Sequence, residues 1–149
     1  MLNRDYHDML SMFGDEGVEY LVVGAYALAA HGLPRATGDI DLWIRATPDN
    51  AERVWKALGR FGAPLAGLSA ADFTAAETVF QIGVAPRRVE ILTSIEAVSF
   101  DEAWPARDEV EIEGLRVPIL SRSHLVTNKK ALGRPKDLGD IDWLEGRNA

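Results

Sequence analysis

Two aspartates stand one residue apart, Asp39 and Asp41, in the stretch "TGDIDLWI" at positions 37 to 44, where the alternate residues are Ile40, Leu42 and Ile44. Successive side chains of a strand point to opposite faces, so both acids share a face, with Cα atoms about 6.7 Å apart. Their carboxylates then reach one point in space. Carboxylates that close repel, which raises one pKa unless a cation or hydrogen-bond donors compensate. A divalent cation is the economical compensator, and hard oxygen ligands select Mg2+ or Mn2+ over zinc. A third acid repeats the pattern: in "RVEIL", Val89 and Ile91 form the apolar face and Glu90 points the other way. If that strand lies beside the first, Asp39, Asp41 and Glu90 form one cluster, at once the candidate catalytic set and the candidate metal ligands. Such a trio suits two-metal phosphoryl or nucleotidyl transfer, in which one ion activates the attacking hydroxyl and the other neutralises leaving pyrophosphate. An Asp-x-Asp on the solvent side of a strand also arises by chance, so the neighbouring elements must decide.

Upstream, "EYLVVG" reads as a buried strand and "AYALAAHG" as a short alanine-rich helix. Gly24 marks the strand-to-helix turn, where free N–H groups face a phosphate. Before it, Tyr6, Met9, Leu10 and Phe13 at helical spacing after Asn3 predict a helix over 3 to 13 that ends at Gly14 or Gly17. "LPRAT" is a loop into the strand "DIDLWI". Thr47 then Pro48 starts a helix that runs to Gly62. Residues 62 to 77 are ambiguous, with a Ser-x-x-acid capping pattern at 69 to 72. "TVFQIG" and "RVEIL", joined by "VAPR", predict a hairpin. Ser99 with Glu102 opens a short helix, "EVEIE" and "LRVPIL" around Gly114 predict a second hairpin, and helices over roughly 122 to 132 and 136 to 145 finish the chain. The expectation is an α/β (α+β) single domain over residues 1 to 149, a mixed sheet of four to six strands flanked by helices.

The run from Val22 to Ile44 resembles the signature of the DNA polymerase beta-like nucleotidyltransferase superfamily, where a Gly-Gly or Gly-Ser turn precedes a strand carrying Asp-x-Asp or Asp-x-Glu. Here the turn is Gly24-Ala25, and Ala25 lacks the serine hydroxyl while keeping its N–H. "HGLPRATGDIDL", with His31, Gly32, Arg35 and Thr37, is similar to the minimal bacterial nucleotidyltransferases related to AbiEii-type toxins. "HLVTNKKALGRPKDLGDIDWL" resembles the same subgroup's final segment, matching Lys129, Arg134, Lys136, Asp137 and Asp140. The resemblance implies the nucleotidyltransferase fold and transfer of a nucleoside monophosphate from an NTP to a hydroxyl. It implies that the Gly24-Ala25 turn and Lys129 grip the triphosphate of the nucleotide, with Arg134 or Arg35 assisting. Lys129 also falls on the stripe of Leu125 and Leu132, and an inward lysine needs an anion, which a triphosphate would supply. His31 ends its helix and reads equally as structural or catalytic; Asp137 and Asp140 read as caps of the last helix.

The 149 residues suffice for one core, and no apolar run approaches a membrane span. The N-terminus is too acidic for a secretory signal, so a cytoplasmic location is expected. Without cysteine, disulfides and thiolate metal sites are excluded. A net charge of -7 argues against a broadly basic nucleic-acid surface, although "NKKALGRPK" is a local basic cluster. The acceptor therefore stays open between RNA, a protein and a small molecule such as an aminoglycoside-like or lincosamide-like antibiotic. Two further readings stand beside the enzyme: an inactive nucleotidyltransferase-fold regulatory partner, and a toxin-antitoxin component with an antitoxin. A homo-oligomer would supply the acceptor surface that a chain this short has little room for.

Overall fold

The computed structural model describes residues 2–33, 38–84 and 87–146. Arg35 and Thr37 therefore lie outside the described residues, as does the middle of the "VAPR" connection. Helix α1, Arg4–Asp15, starts where the Asn3 side chain accepts from the Tyr6 N–H at 2.9 Å, and buries Tyr6, Met9, Leu10 and Phe13. Strand β1, Tyr20–Val23, is buried throughout and turns directly into the seven-residue helix α2, Gly24–Ala30. Strand β2 is Ile40–Ile44, so Asp39 stands just ahead of it rather than inside it.

Helix α3, Pro48–Phe61, has Thr47 as its cap, proline in the first turn and Gly62 in the left-handed region at its end. The ambiguous segment contains a 3-10 turn, Ala70–Thr74, whose Asp72 carboxylate accepts the Ser69 N–H at 2.7 Å. Strands β3, Val79–Ile82, and β4, Val89–Leu92, are antiparallel partners as the hairpin pattern predicts. A capped turn of helix, α4 (Phe100–Ala103), leads to the hairpin of β5, Asp108–Ile112, and β6, Leu115–Ile119. Helices α5, Arg122–Leu132, and α6, Pro135–Leu144, close the chain and pack on each other.

The six strands form one mixed sheet in the order β3-β4-β2-β1-β6-β5. Strand β2 runs antiparallel to β1 and parallel to β4, a pairing that needs the long crossover through α3. One face carries Tyr20, Ile40, Leu42, Ile44, Val89 and Ile91, all buried, and α1 seats Phe13 edge-on against Tyr20 at 5.2 Å. On the other face, Trp43 packs edge-on against Phe100 of α4, and α5 covers the end where Asp41 and Glu90 emerge. All four tryptophans take part in ring or cation contacts within the protein, which fits packing rather than base stacking. No described helix is long and apolar enough to cross a membrane.

Candidate active site

The strand register builds the centre of the site. Asp41 pairs with Val23 on one side and with Glu90 on the other, and Glu90 in turn pairs with Gln81. Ile40 and Leu42 hold β2 in that register because a slip of one residue would bury both acids and expose both apolar side chains. Asp41 and Glu90 thus sit side by side, while Asp39 lies at the entry to the strand. Tyr6 is fully buried on α1, and its hydroxyl reaches the carbonyls of Gly38 and Arg88, at 3.0 Å for Arg88. It ties together the two backbone segments that lead into the acids.

Electrostatically the acids are unequal. Burial pushes the Asp41 carboxyl up to about 7, and the neighbouring Glu90 and Asp39 add to the shift. Its Oδ1 is buried with no hydrogen-bond partner, a costly arrangement unless another group is meant to approach it. Asp39 is held differently: Arg88 Nη2 lies 2.9 Å from Asp39 Oδ2, and Arg88 Nε lies 3.7 Å from Glu90 Oε1. Gln81 also donates to Glu90 at 3.2 Å. Among the described residues, no three His, Asp or Glu side chains are gathered at cation-holding spacing. Arg88 pairs with both Asp39 and Glu90 and supplies positive charge beside the three acids. Sequence reasoning passed over Arg88; its position two before Glu90, hence on the same strand face, was the available signal.

Gly24 is required twice over. Its φ is +69°, and a Cβ there would lie 2.3 Å from Asp41 Oδ2. Gly24→Ala therefore strains the backbone by about 1–3 kcal/mol and displaces the carboxylate; thermal unfolding should show the loss, and Mg2+-dependent nucleotide binding should weaken with it. Ala25 follows in the first turn, where its N–H has no partner within the helix.

A cavity of about 740 Å³ opens between this sheet end and α5, lined by Gly24, Asp41, Glu90, Lys129 and Arg134 among others. Lys129 is inward as its stripe predicts, only 7% exposed. Its anions are internal, however: Nζ lies 3.3 Å from Asp137 Oδ1 and 3.2 Å from Asp140 Oδ2. The carboxylates come from the first turns of α6, three residues apart, so they face α5 together. Asp137 also caps α6, accepting the Arg134 N–H at 3.2 Å, and binds the Arg134 guanidinium through Nε at 2.8 Å and Nη2 at 3.1 Å. Those hydrogen bonds, together with those from Lys129, hold its carboxyl down at about 2. His31 is structural: Nε2 meets the Leu120 carbonyl at 2.8 Å, and Asp108 lies 3.7 Å away.

Solved structures share this fold. TM1012 of Thermotoga maritima, assigned as a nucleotidyltransferase, aligns over 99% of this chain and 97% of its own with a TM-score of 0.61 at 19% identity. The chain has the nucleotidyltransferase fold. The same fold relates it to the antibiotic-resistance factor ANT(2'')-Ia, with a TM-score of 0.63 over 97% of this chain and 83% of that one at 14% identity. It also relates it to the lincosamide antibiotic adenylyltransferase LnuA in its lincomycin-bound form, at 0.61 over 97% of both chains and 14% identity. No family model matches the chain, and no curated protein matches it in sequence. At these identities the likeness speaks for the nucleotidyltransferase fold, and the chemistry must be argued from the site.

The donor chemistry fits a divalent cation: Asp39, Asp41 and Glu90 are hard oxygen donors and one Asp41 oxygen is orphaned, but the three stand wider than cation-holding spacing with Arg88 as the counter-charge. Arg88 would then compete with the ion for Asp39. Arg88→Met should tighten Mn2+ binding by about tenfold, read by titration calorimetry; unchanged or weaker binding would show that Arg88 supports the ion instead.

Proposed function

We propose that this chain is a metal-dependent nucleotidyltransferase that moves a nucleoside monophosphate from an NTP to a hydroxyl acceptor. The observation that carries this reading is the pairing of Asp41 with Glu90 across parallel strands in the wall of a cavity that also holds Lys129 and Arg134, within a nucleotidyltransferase fold. Asp39, Asp41 and Glu90 would hold Mg2+ or Mn2+. When bound, the ion neutralises charge on the phosphates and lowers the pKa of a coordinated hydroxyl.

The chain's own residues do the rest. The acceptor oxygen bonds to the α-phosphorus as the α–β phosphoanhydride bond breaks, pyrophosphate leaves, and the hydroxyl proton passes to Glu90. The first-turn N–H groups at Gly24 and Ala25 face the phosphates. Arg134 commits Nε and Nη2 to Asp137 and keeps Nη1 for a phosphate oxygen, while Lys129 anchors the Asp137 that positions it. Arg35 would assist. A small-molecule acceptor is favoured by the end-to-end likeness to the lincomycin-bound adenylyltransferase and to ANT(2'')-Ia in complex with adenylyl-2''-tobramycin, the latter with a TM-score of 0.56 over 95% of this chain.

Titration calorimetry of each NTP with and without Mg2+ tests the reading, run beside Asp39→Asn. Binding should need Mg2+ and be lost in the variant. It should also weaken about tenfold per pH unit below 7 and level off above it, since Asp41 must lose its proton first. No NTP binding in the wild type would overturn the enzyme and leave a nucleotidyltransferase-fold binding partner.

A further inference from the structure

Asp39 stands just ahead of β2, beyond the end of the strand ladder. Resting on the transferase reading, we propose that the buried Tyr6 hydroxyl is a positioning group that fixes Asp39 for the metal ion. The first rung between β2 and β4 is the Ile40 N–H, which donates to the Arg88 carbonyl at 3.1 Å. A parallel ladder carried one rung further back would bring the Arg88 N–H to the Gly38 carbonyl. Among the described residues no such bond forms. The Tyr6 hydroxyl instead meets the Gly38 carbonyl, and it also lies 3.0 Å from the Arg88 carbonyl. Asp39 is thus held on both sides, through Ile40 by the ladder and through Gly38 by a side chain from α1.

A phenylalanine would fill the same space and leave the Gly38 carbonyl without that donor. Burial, with Tyr26 and Asp39 nearby, pushes the Tyr6 hydroxyl up to about 12, so it keeps its proton and stays a donor near neutrality. The phenol is itself firmly placed. Tyr6 is fully buried, its N–H donates to the Asn3 cap at 2.9 Å, and its ring meets Tyr26 of α2 edge-on at 5.7 Å. Asp39 must change partners when an ion arrives, because Arg88 Nη2 lies 2.9 Å from its Oδ2. With Gly38 clamped, that exchange needs only side-chain rotation. Without the clamp the ion must also order the backbone at Asp39, which is worth about a tenfold loss of affinity.

The test titrates Mn2+ into the wild type, into Tyr6→Phe, which keeps the ring, and into Tyr20→Phe, which takes a hydroxyl from another buried tyrosine. A fourth protein carries p-aminophenylalanine in place of Tyr6, whose amine can donate to both carbonyls. Tyr6→Phe should bind Mn2+ about tenfold more weakly, and Tyr20→Phe should stay within about twofold of the wild type. The amine should restore wild-type affinity, a rescue that a purely space-filling role does not predict. Unchanged Mn2+ affinity in Tyr6→Phe, or an equal loss in Tyr20→Phe, would reduce Tyr6 to core packing. Should Tyr6→Phe fail to fold, the amine carries the test: retained Mn2+ affinity upholds the donor, and a tenfold loss with the donor present overturns it. Titration of Mg2+-ATP into the wild type separates the two failures. ATP binding with an unaffected Tyr6→Phe removes the positioning role alone, whereas a wild type that binds neither Mn2+ nor ATP removes the transferase reading and the role that rests on it.

Discussion

Asp41→Asn is expected to lower nucleotidyl transfer by about 10³-fold and, at the same time, to make the protein more stable at pH 8. The first effect follows from the proposed reaction, in which Asp41 would supply one of the charges that hold the metal ion. The second follows from the upward displacement of the Asp41 carboxyl from 3.8 to about 7. Between these two values the folded chain keeps a proton that the unfolded chain releases, so stability falls as pH rises through that window, and above it the full cost is present. A displacement of that size corresponds to at most about 4 kcal/mol. Because Asp41 retains some exposure, a gain of ~1–3 kcal/mol is expected for the uncharged variant. Thermal melts of both proteins from pH 4 to pH 8 should diverge across this range and run parallel above 7. A variant that loses both activity and stability would show Asp41 to be structural.

Asp137→Ala should have the largest effect on stability. Asp137 is 1% exposed and is shared by Lys129 and Arg134, so its removal leaves a buried ammonium with less compensation. Breaking a buried pair in this way costs about 3–5 kcal/mol, a large fraction of the 5–15 kcal/mol that holds a domain together. The carboxyl is depressed to about 2, so the stability it contributes at neutral pH should be lost as pH falls from about 4 towards 2. Adding Lys129→Met to Asp137→Ala should restore much of the folding free energy, because the uncompensated charge is gone. Nucleotide binding should stay weak in the double variant, since Arg134 no longer has its anchor. Denaturant titration distinguishes the two effects: recovery of the midpoint without recovery of binding is expected, and a double variant no more stable than Asp137→Ala would sink the account of the buried charge.

The strands, their order of appearance and the acid pair were legible because alternation in "DIDLWI" and "RVEIL" leaves only one way to bury Ile40, Leu42, Val89 and Ile91. Once both strands are buried on that face, Asp41 and Glu90 must share the other. Helix starts at Asn3, Thr47 and Ser99 were likewise local signals, each seen here as a side chain accepting from an N–H three residues on. What could not be read was which charge meets which. Lys129 announced an inward cation, but its partners lie on another helix, whose packing on α5 no local pattern encodes. Tyr6 was hidden for the same reason, since it acts from a helix more than thirty residues before Asp39, while the spacing of Arg88 from Glu90 showed its face but not that it would reach across to Asp39.

The parallel pairing of β2 with β4 also has a consequence for synthesis. Strands β1 and β2 form from consecutive sequence, but Asp41 acquires its neighbour only when Glu90 has been made and the crossover has closed. Lys129 and Arg134 arrive later still, on α5 and at the start of α6. A nascent chain on the ribosome therefore carries Asp41 for a time without Glu90 beside it, and the cavity wall from α5 closes only after the acid pair has formed.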